Sequence, residues 1–329
     1  MTEEGACVAS SFQPGERRLE LGISSPLARN KINLTLLAHV AGDAALDSVT
    51  VLCADLAAGS ETYSLVNAGN RKGAVRLHSG TCLLSLYPHD KRSEIKGNFI
   101  LSLAQARVKI RGLASSPSAI AAVLSRNAKD RAIQALFQHF KFPSYQTPEE
   151  FYAVRQPPEE VVREVIASYQ EKVIRVYHIM HQEDLDLWEL LVPSSRTLEA
   201  FAEALIVLGA KGLKIPFLVA VPGPEKKFLL SFAITREVTE EVKRILEERI
   251  PALVTRRHSP VAAIFLHGPH FGDRYGIADT LIQALAGAGV SLLGLSCCVS
   301  SITVVVKQAE LPGALRVLGD TFEDQSKCR

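Results

Sequence analysis

Residues 285–322 read LAGAGVSLLGLSCCVSSITVVVKQAELPGALRVLGDTF, and residues 103–140 read LAQARVKIRGLASSPSAIAAVLSRNAKDRAIQALFQHF. A shift of 182 places aligns them without a gap. Leu103 meets Leu285, Val108 meets Val290, Gly112-Leu113 meets Gly294-Leu295, Ser118 meets Ser300 and Phe140 meets Phe322. Upstream the shift falls to 181, where Pro88-His89 meets Pro269-His270, and then to 180, where His78-Ser79 meets His258-Ser259. Chance supplies one or two such matches, not the run, so the chain contains a duplication.

The later copy sets the local structure. Ala262–His267 is a short apolar run suited to a buried strand. Ile277, Leu281, Leu285 and Ala288 then form one helical face, and Gly287 and Gly289 punctuate its end. Val290–Leu295 and Ile302–Val306 read as strands, and Leu311–Phe322 as a second helix with Pro312 in its first turn. A unit of this kind buries one face of its sheet under its helices. Strand alternation points Val290 and Leu292 at the helices and Ser291, Leu293 and Leu295 away. That second face is apolar too, so something is expected to cover it. With about sixty residues, one unit is marginal alone and gains by pairing.

The rest of the chain divides into weaker units. Residues 172–250 carry strands Val173–Met180 and Leu185–Val192, a helix Thr197–Gly209, a strand pair Lys214–Val221 and Lys227–Thr235, and a last helix. Residues 17–72 carry strands Ile32–Val40 and Val49–Ala54 with poorer helices. Between the halves, Thr147-Pro148-Glu149-Glu150 is a capping-box start and Pro158–Glu171 looks helical. The expected division is 1–73, 74–142, a helical linker 143–171, 172–254 and 255–329. The fold class is α+β, with tandem ferredoxin-like βαββαβ units whose antiparallel sheets carry helices on one face.

Composition narrows the function. Across 329 residues, 47% apolar and 22% charged content is globular, and 37 Lys plus Arg against 35 Asp plus Glu give a net charge of +2. That balance disfavours a nucleic-acid protein driven by bulk charge. Thr280 to Val306 is uncharged and long enough to span a bilayer. Its earlier copy carries Arg107, Lys109 and Arg111, which a membrane span accepts only at high cost, so the stretch reads as soluble core with no membrane role. Six cysteines without a CxxC pair and an acidic start at Met1-Thr2-Glu3-Glu4 point to the cytoplasm.

The segment Gly272-Asp273-Arg274-Tyr275-Gly276-Ile277-Ala278, followed by Ala284–Val290, Val299–Val306 and Ala314–Leu318, resembles the ACT domains in the regulatory part of aspartokinases. The resemblance covers 261–323, and the duplication extends it to 75–141. No amino-acid kinase domain and no lysine-led glycine-rich start accompany it. ACT domains sense small ligands, usually amino acids, where two units meet. The resemblance therefore implies a regulatory protein without a cofactor, paired as a homodimer, with a ligand set of His270, Asp273, Arg274, Gly276, Ile277 and Ser291. The backbone N–H groups near Gly276 and Ile277 suit a ligand carboxylate, and Asp273 suits its ammonium. Gly276 has no Cβ, which permits close approach. Tyr275 stands where the family usually has Pro, and Ser291 where it often has Asn.

In the earlier copy, Glu94 takes the place of Gly276, and its carboxylate repels a ligand carboxylate, so residues 89–95 read as structural. Three other signals are weaker. His267-x-x-His270-x-x-Asp273 has metal-ligand residue types but lies in a loop, so no metal is expected. Arg107, Lys109 and Arg111 share a strand face, with Arg126, Lys129 and Arg131 beyond, but the face lacks the stacking aromatics of an RNA module. Cys297-Cys298 sit among apolar neighbours and read as buried. No G-x-S-x-G elbow, Walker loop or HExxH is present, which fits a non-catalytic sensor. The alternatives are an enzyme with an unrecognised site at a unit interface and a scaffold with non-functional loops.

Overall fold

A computed structural model describes residues 2–12, 19–42, 47–70, 73–153, 174–193, 195–223, 227–250, 255–268 and 274–324. The first unit runs β1 (Thr2–Phe12), a π-helical turn (Leu19–Ser24) leading into α1 (Ser25–Arg29), β2 (Leu34–Val40), β3 (Ser48–Asp55) and α2 (Gly59–Gly69). The second runs β4 (Val75–Leu86), α3 (Ser93–Gln105), β5 (Ile110–Ser115), β6 (Ile120–Ser125) and α4 (Lys129–His139). After α5 (Pro148–Ala153) and β7 (Arg175–Val176), the third has β8 (His178–Val192), α6 (Ser195–Ala210), β9 (Phe217–Pro222), β10 (Phe228–Thr235) and α7 (Thr239–Arg249). The fourth has β11 (Thr255–His267), α8 (Ile277–Gly287), β12 (Leu292–Cys298), β13 (Ser301–Lys307), α9 (Leu311–Thr321) and β14 (Glu323–Asp324), which pairs with β7. These are antiparallel, ferredoxin-like α+β units with their helices on one face.

Twelve of the strands close into one ring in the order β1-β3-β2-β12-β13-β11-β8-β10-β9-β5-β6-β4. The first unit pairs edge to edge with the fourth, Val40 opposite Gly294, and the second with the third, Leu113 opposite Ala220. Long strands join these pairs: β4 bonds both β1 and β6, and β11 bonds both β8 and β13. The first and second units, and the third and fourth, therefore share a bridging strand, while the first and fourth, and the second and third, share a sheet seam.

Three apolar cores follow. One lies under the helices of the second and third units, around Phe99, Leu103, Phe201 and Phe232. Another lies under the helices of the first and fourth, around Leu27, Leu52, Leu281 and Val304. The third fills the inside of the ring, between the sheet formed by the first and fourth units and the sheet formed by the second and third, with Val51, Ala121, Phe217, Phe265 and Val305. It covers the second apolar face that alternation had left unpaired in the last unit.

Several local expectations change. Leu295 faces the helices instead of the middle layer, because a bulge between Leu292 and Gly294 shifts the alternation by one residue. Arg107 is not on a strand face with Arg111; it adopts a left-handed φ of 53° in the turn that ends α3. The first unit gains β1, which was not expected, and α2 falls within 17–72, where helices were expected without bounds. Thr280 to Val306 folds as most of α8, then β12 and most of β13, and no described helix is long and apolar enough to cross a membrane. The helix expected over Pro158–Glu171 lies outside the described residues.

Candidate functional site

The start of α8 meets the first unit. Gly276 precedes the helix with φ 84°, a left-handed conformation that favours glycine. Conformation, not room, requires it: among the described residues beyond its chain neighbours, the nearest atom to an added Cβ is Ala28 Cβ at 3.9 Å. The π-helical turn and α1 pack across from it. Asp279, in the first turn of α8, accepts hydrogen bonds from Ser24 Oγ (2.7 Å) and Ser25 Oγ (2.9 Å). Gln283 Nε2 donates to Ser25 Oγ at 2.9 Å and to Asp279 Oδ1 at 3.3 Å. A carboxylate at this end of the helix is favoured by the dipole, and here the chain provides its own.

Between these groups is a cavity of about 20 Å³, lined by Ser24, Leu27, Ala28, Arg274, Gly276, Ile277, Asp279 and Cys297, among others. The structure thus brings Arg274, Gly276 and Ile277 together at the seam between the first and fourth units. His270 and Asp273 lie outside the described residues. Ser291 does not join the site. It follows the far end of α8, is exposed, and its backbone N–H donates to Glu310 Oε2 at 2.6 Å. An eleven-residue helix, about 16 Å long, separates it from Gly276.

The pseudo-equivalent loop at the other seam is filled by the third unit. Ser93 Oγ donates to Leu213 O at 2.6 Å, Ile215 N–H donates to Lys91 O at 3.3 Å, and the buried Lys96 ammonium donates to Ile215 O. Glu94 lies against Gly209 of α6, where a Cβ would fall 2.5 Å from that of Glu94. Burial lowers the Lys96 pKa to about 7. His89, beside it, falls to about 3 through burial and then the Lys96 charge. A polar layer continues inward: Ser115 Oγ lies 3.4 Å from His89 Nε2, Ser296 Oγ donates to Ser115 O at 2.9 Å, and Ser301 Oγ donates to Ser116 Oγ at 3.2 Å. Cys297 and Cys298 are free and buried, and burial pushes their thiols to about 12 and about 11. His267 Nδ1 lies 3.3 Å from Ser300 Oγ, and no group of metal-ligand side chains is found among the described residues.

Residues 257–320 match the family model of the ACT domain. No curated relative matches the sequence. Among solved structures, an aspartate kinase from Synechocystis superposes on 98% of this chain with a TM-score of 0.77 at 14% identity, a likeness of fold. The match takes up 55% of that kinase, so this chain spans about half its length. The regulatory subunit of aspartate kinase from Thermus flavus aligns over 45% of this chain and 99% of its own, at 18% identity and a TM-score of 0.40. Its counterpart from Thermus thermophilus does so over 45% and 99%, at 15% and 0.39. At those scores the last two add nothing further about this chain.

The partners of the fourth unit at its helix start were not all visible in the sequence. Asp279 and Gln283, four residues apart on α8, were a readable polar pair beside the apolar face. Ser24 and Ser25 were not, because the first unit carries little helical periodicity.

Proposed function

We propose that the chain is a regulatory module that takes up an amino-acid-like zwitterion at the start of α8 and passes the change on through the seam between its first and fourth units. The observation that supports this most is the meeting of the α8 N-terminus, led by left-handed Gly276, with a second unit across a small cavity. Ligand carboxylate would lie on the N–H groups near Gly276 and Ile277, and ligand ammonium would face Asp279, with Asp273 as a further acid. A cavity of about 20 Å³ holds about one water and no amino acid, so this reading requires the seam to open. Entry requires the π-helical turn and α1 to move, freeing Asp279 from Ser24 and Ser25. A ligand that binds only the opened seam shifts the packing by its preference for that state.

The same closure favours a second reading, a scaffold whose loop is sealed by its own side chains. Thermal denaturation against an amino-acid panel separates the two. At a hundredfold excess over its dissociation constant, a true ligand adds about 2–3 kcal/mol of stability. Asp279→Ala or Asp273→Ala removes that gain, and a paired Ser24→Ala/Ser25→Ala change increases it by loosening the closed state. Silence of both the parent chain and the loosened variant across the panel selects the scaffold.

A further inference from the structure

The two halves carry the same basic pair on their bridging strands, but only one half neutralises it. On β11, Arg256 and His258 stand opposite Glu189 and Leu187 of β8; on β4, Arg76 and His78 stand opposite Ala9 and Cys7 of β1. Both strands obey the repeat shift of 180, so Ala9 occupies the place of Glu189. In the second half the Glu189 carboxylate, buried to 1% exposure, lies 2.5 Å from the Arg256 guanidinium and 3.7 Å from His258 Nε2. In the first half that acid is missing, and Arg76 forms no ion pair among the described residues.

More cations gather at the uncompensated place. Lys109, Arg111, Arg126 and Lys129 correspond to Ser291, Leu293, Gln308 and Leu311 in the other copy. Arg111, released by the bulge between Ile110 and Gly112, reaches across the sheet. One of its terminal nitrogens lies 3.1 Å from His78 Nδ1, and the other donates to Ser125 Oγ at 3.1 Å. Its Nε is buried without a hydrogen-bond partner among the described residues. The His78 pKa is depressed by burial and then by Arg111, Lys109 and Arg76, with no acid opposing them. One neighbouring charge is compensated: Arg126 Nε lies 3.0 Å from Glu4 Oε1. Beside this group opens a hollow of about 640 Å³ lined by Ser79, Gly80, Arg111, Ser125, Arg126 and Asn127.

We propose that this hollow is an anion site for a small phosphate-bearing molecule, separate from the α8 seam, in which Arg111 and Arg126 hold the phosphate oxygens and the Ser79 and Ser125 hydroxyls complete the shell. Guanidinium forks match tetrahedral oxyanions, and hydroxyl donors suit the remaining oxygens. Arg76 and Lys109 add positive charge beyond what the Glu4 carboxylate neutralises, and the neutral His78 ring offers a hydrogen-bonding group beside Arg111. Among the described residues no aromatic ring lines the hollow, so they supply no stacking platform of the kind a single-stranded nucleic acid uses.

Calorimetric titration of the full chain with inorganic pyrophosphate tests this. Saturable binding that weakens as salt is raised is expected, and Arg111→Leu, which installs the residue of the other copy, weakens it at least about tenfold. The exposed changes Arg76→Ala and Lys109→Ser each weaken it several-fold and guard against a folding defect in the Arg111 variant. Arg257→Ala, on the neutralised strand, leaves it unchanged. The proposal is overturned by no binding at millimolar pyrophosphate, by binding indifferent to all three first-half variants, or by a single-stranded oligonucleotide that outcompetes pyrophosphate with affinity rising with its length.

Discussion

Gly294 on β12 lies directly against the ring of Phe217 on β9: a Cβ added to the glycine falls 2.7 Å from Phe217 Cζ. Its repeat mate, Gly112 on β5, stands in the same relation to Val51 on β3, where an added Cβ falls 2.7 Å from Val51 Cγ1. Neither glycine has a positive φ, so both are demanded by the approach of the two sheets. Gly294→Ala is expected to destabilise by about 1–3 kcal/mol through overpacking of the middle layer. The urea midpoint falls, and Phe217→Leu in the same background restores part of it. A wild-type midpoint for Gly294→Ala contradicts the close approach.

That contact shows where the sequence was informative and where it was not. The strong 3.6- and 2-residue periodicities of the last unit located α8, β13 and α9 within a residue or two, and the duplication carried the pattern to α3, β5, β6 and α4. Gly112 and Gly294 were visible as matching residues, but nothing local says that each lies under a side chain from the opposite sheet. The bulge at Leu292–Gly294 is equally silent, and it turned Leu295 to the other face. At the candidate site, Gly276 and Ile277 were legible because a glycine before an apolar helix is a local signal. Ser24 and Ser25 depend on contacts more than 250 residues away in the chain, and Ser291, which only the resemblance assigns to the ligand set, follows the far end of α8.

Lys96 makes stability depend on alkaline pH. Its folded pKa, lowered by burial to about 7 from 10.5, lies below its unfolded value. Between these values the unfolded chain holds a proton that the folded chain has released, so stability rises with pH. From pH 7 to 9 the rise is on the order of 2 kcal/mol. Above the ordinary thiol value of 9.0, the raised thiols of Cys297 and Cys298 work in the opposite sense. Urea unfolding at pH 7, 8 and 9 checks the slope, which Lys96→Met flattens; an unchanged slope in that variant assigns it elsewhere.

His39 and His89 act on the acid side. His39 is buried with Nδ1 2.9 Å from Thr50 Oγ1, and burial lowers its pKa to about 4; His89 falls to about 3. Both stay neutral in the folded chain while the unfolded chain protonates them below 6.5. Stability is therefore full above that value and is lost as pH falls toward 4 and 3. Each contributes a slope approaching about 1.4 kcal/mol per pH unit once well below 6.5. His39→Gln keeps a polar side chain near Thr50 and removes the titration. Comparison of unfolding free energies at pH 6.5 and 5, before most carboxylates titrate, should show a shallower loss in that variant.

Glu189 and Arg256 give a last test, through the pair that the first half lacks. The Glu189 side chain is 1% exposed and that of Arg256 is 22% exposed, with oxygen and nitrogen 2.5 Å apart. Removing Arg256 takes from the buried carboxylate the guanidinium 2.5 Å away, and removing Glu189 takes from Arg256 that same carboxylate. Glu189→Ala is expected to cost about 2–4 kcal/mol, toward the low side of a fully buried pair because Arg256 keeps some contact with solvent. Arg256→Met costs more, since it acts on the more deeply buried carboxylate, which among the described residues keeps the partly exposed His258 as its other basic neighbour. The double variant recovers much of either loss, because neither charge then remains unpaired. Chemical unfolding of the three variants measures this cycle. Single losses below about 0.5 kcal/mol would place the pair among ordinary surface contacts and remove the contrast between the neutralised strand and its basic counterpart on β4.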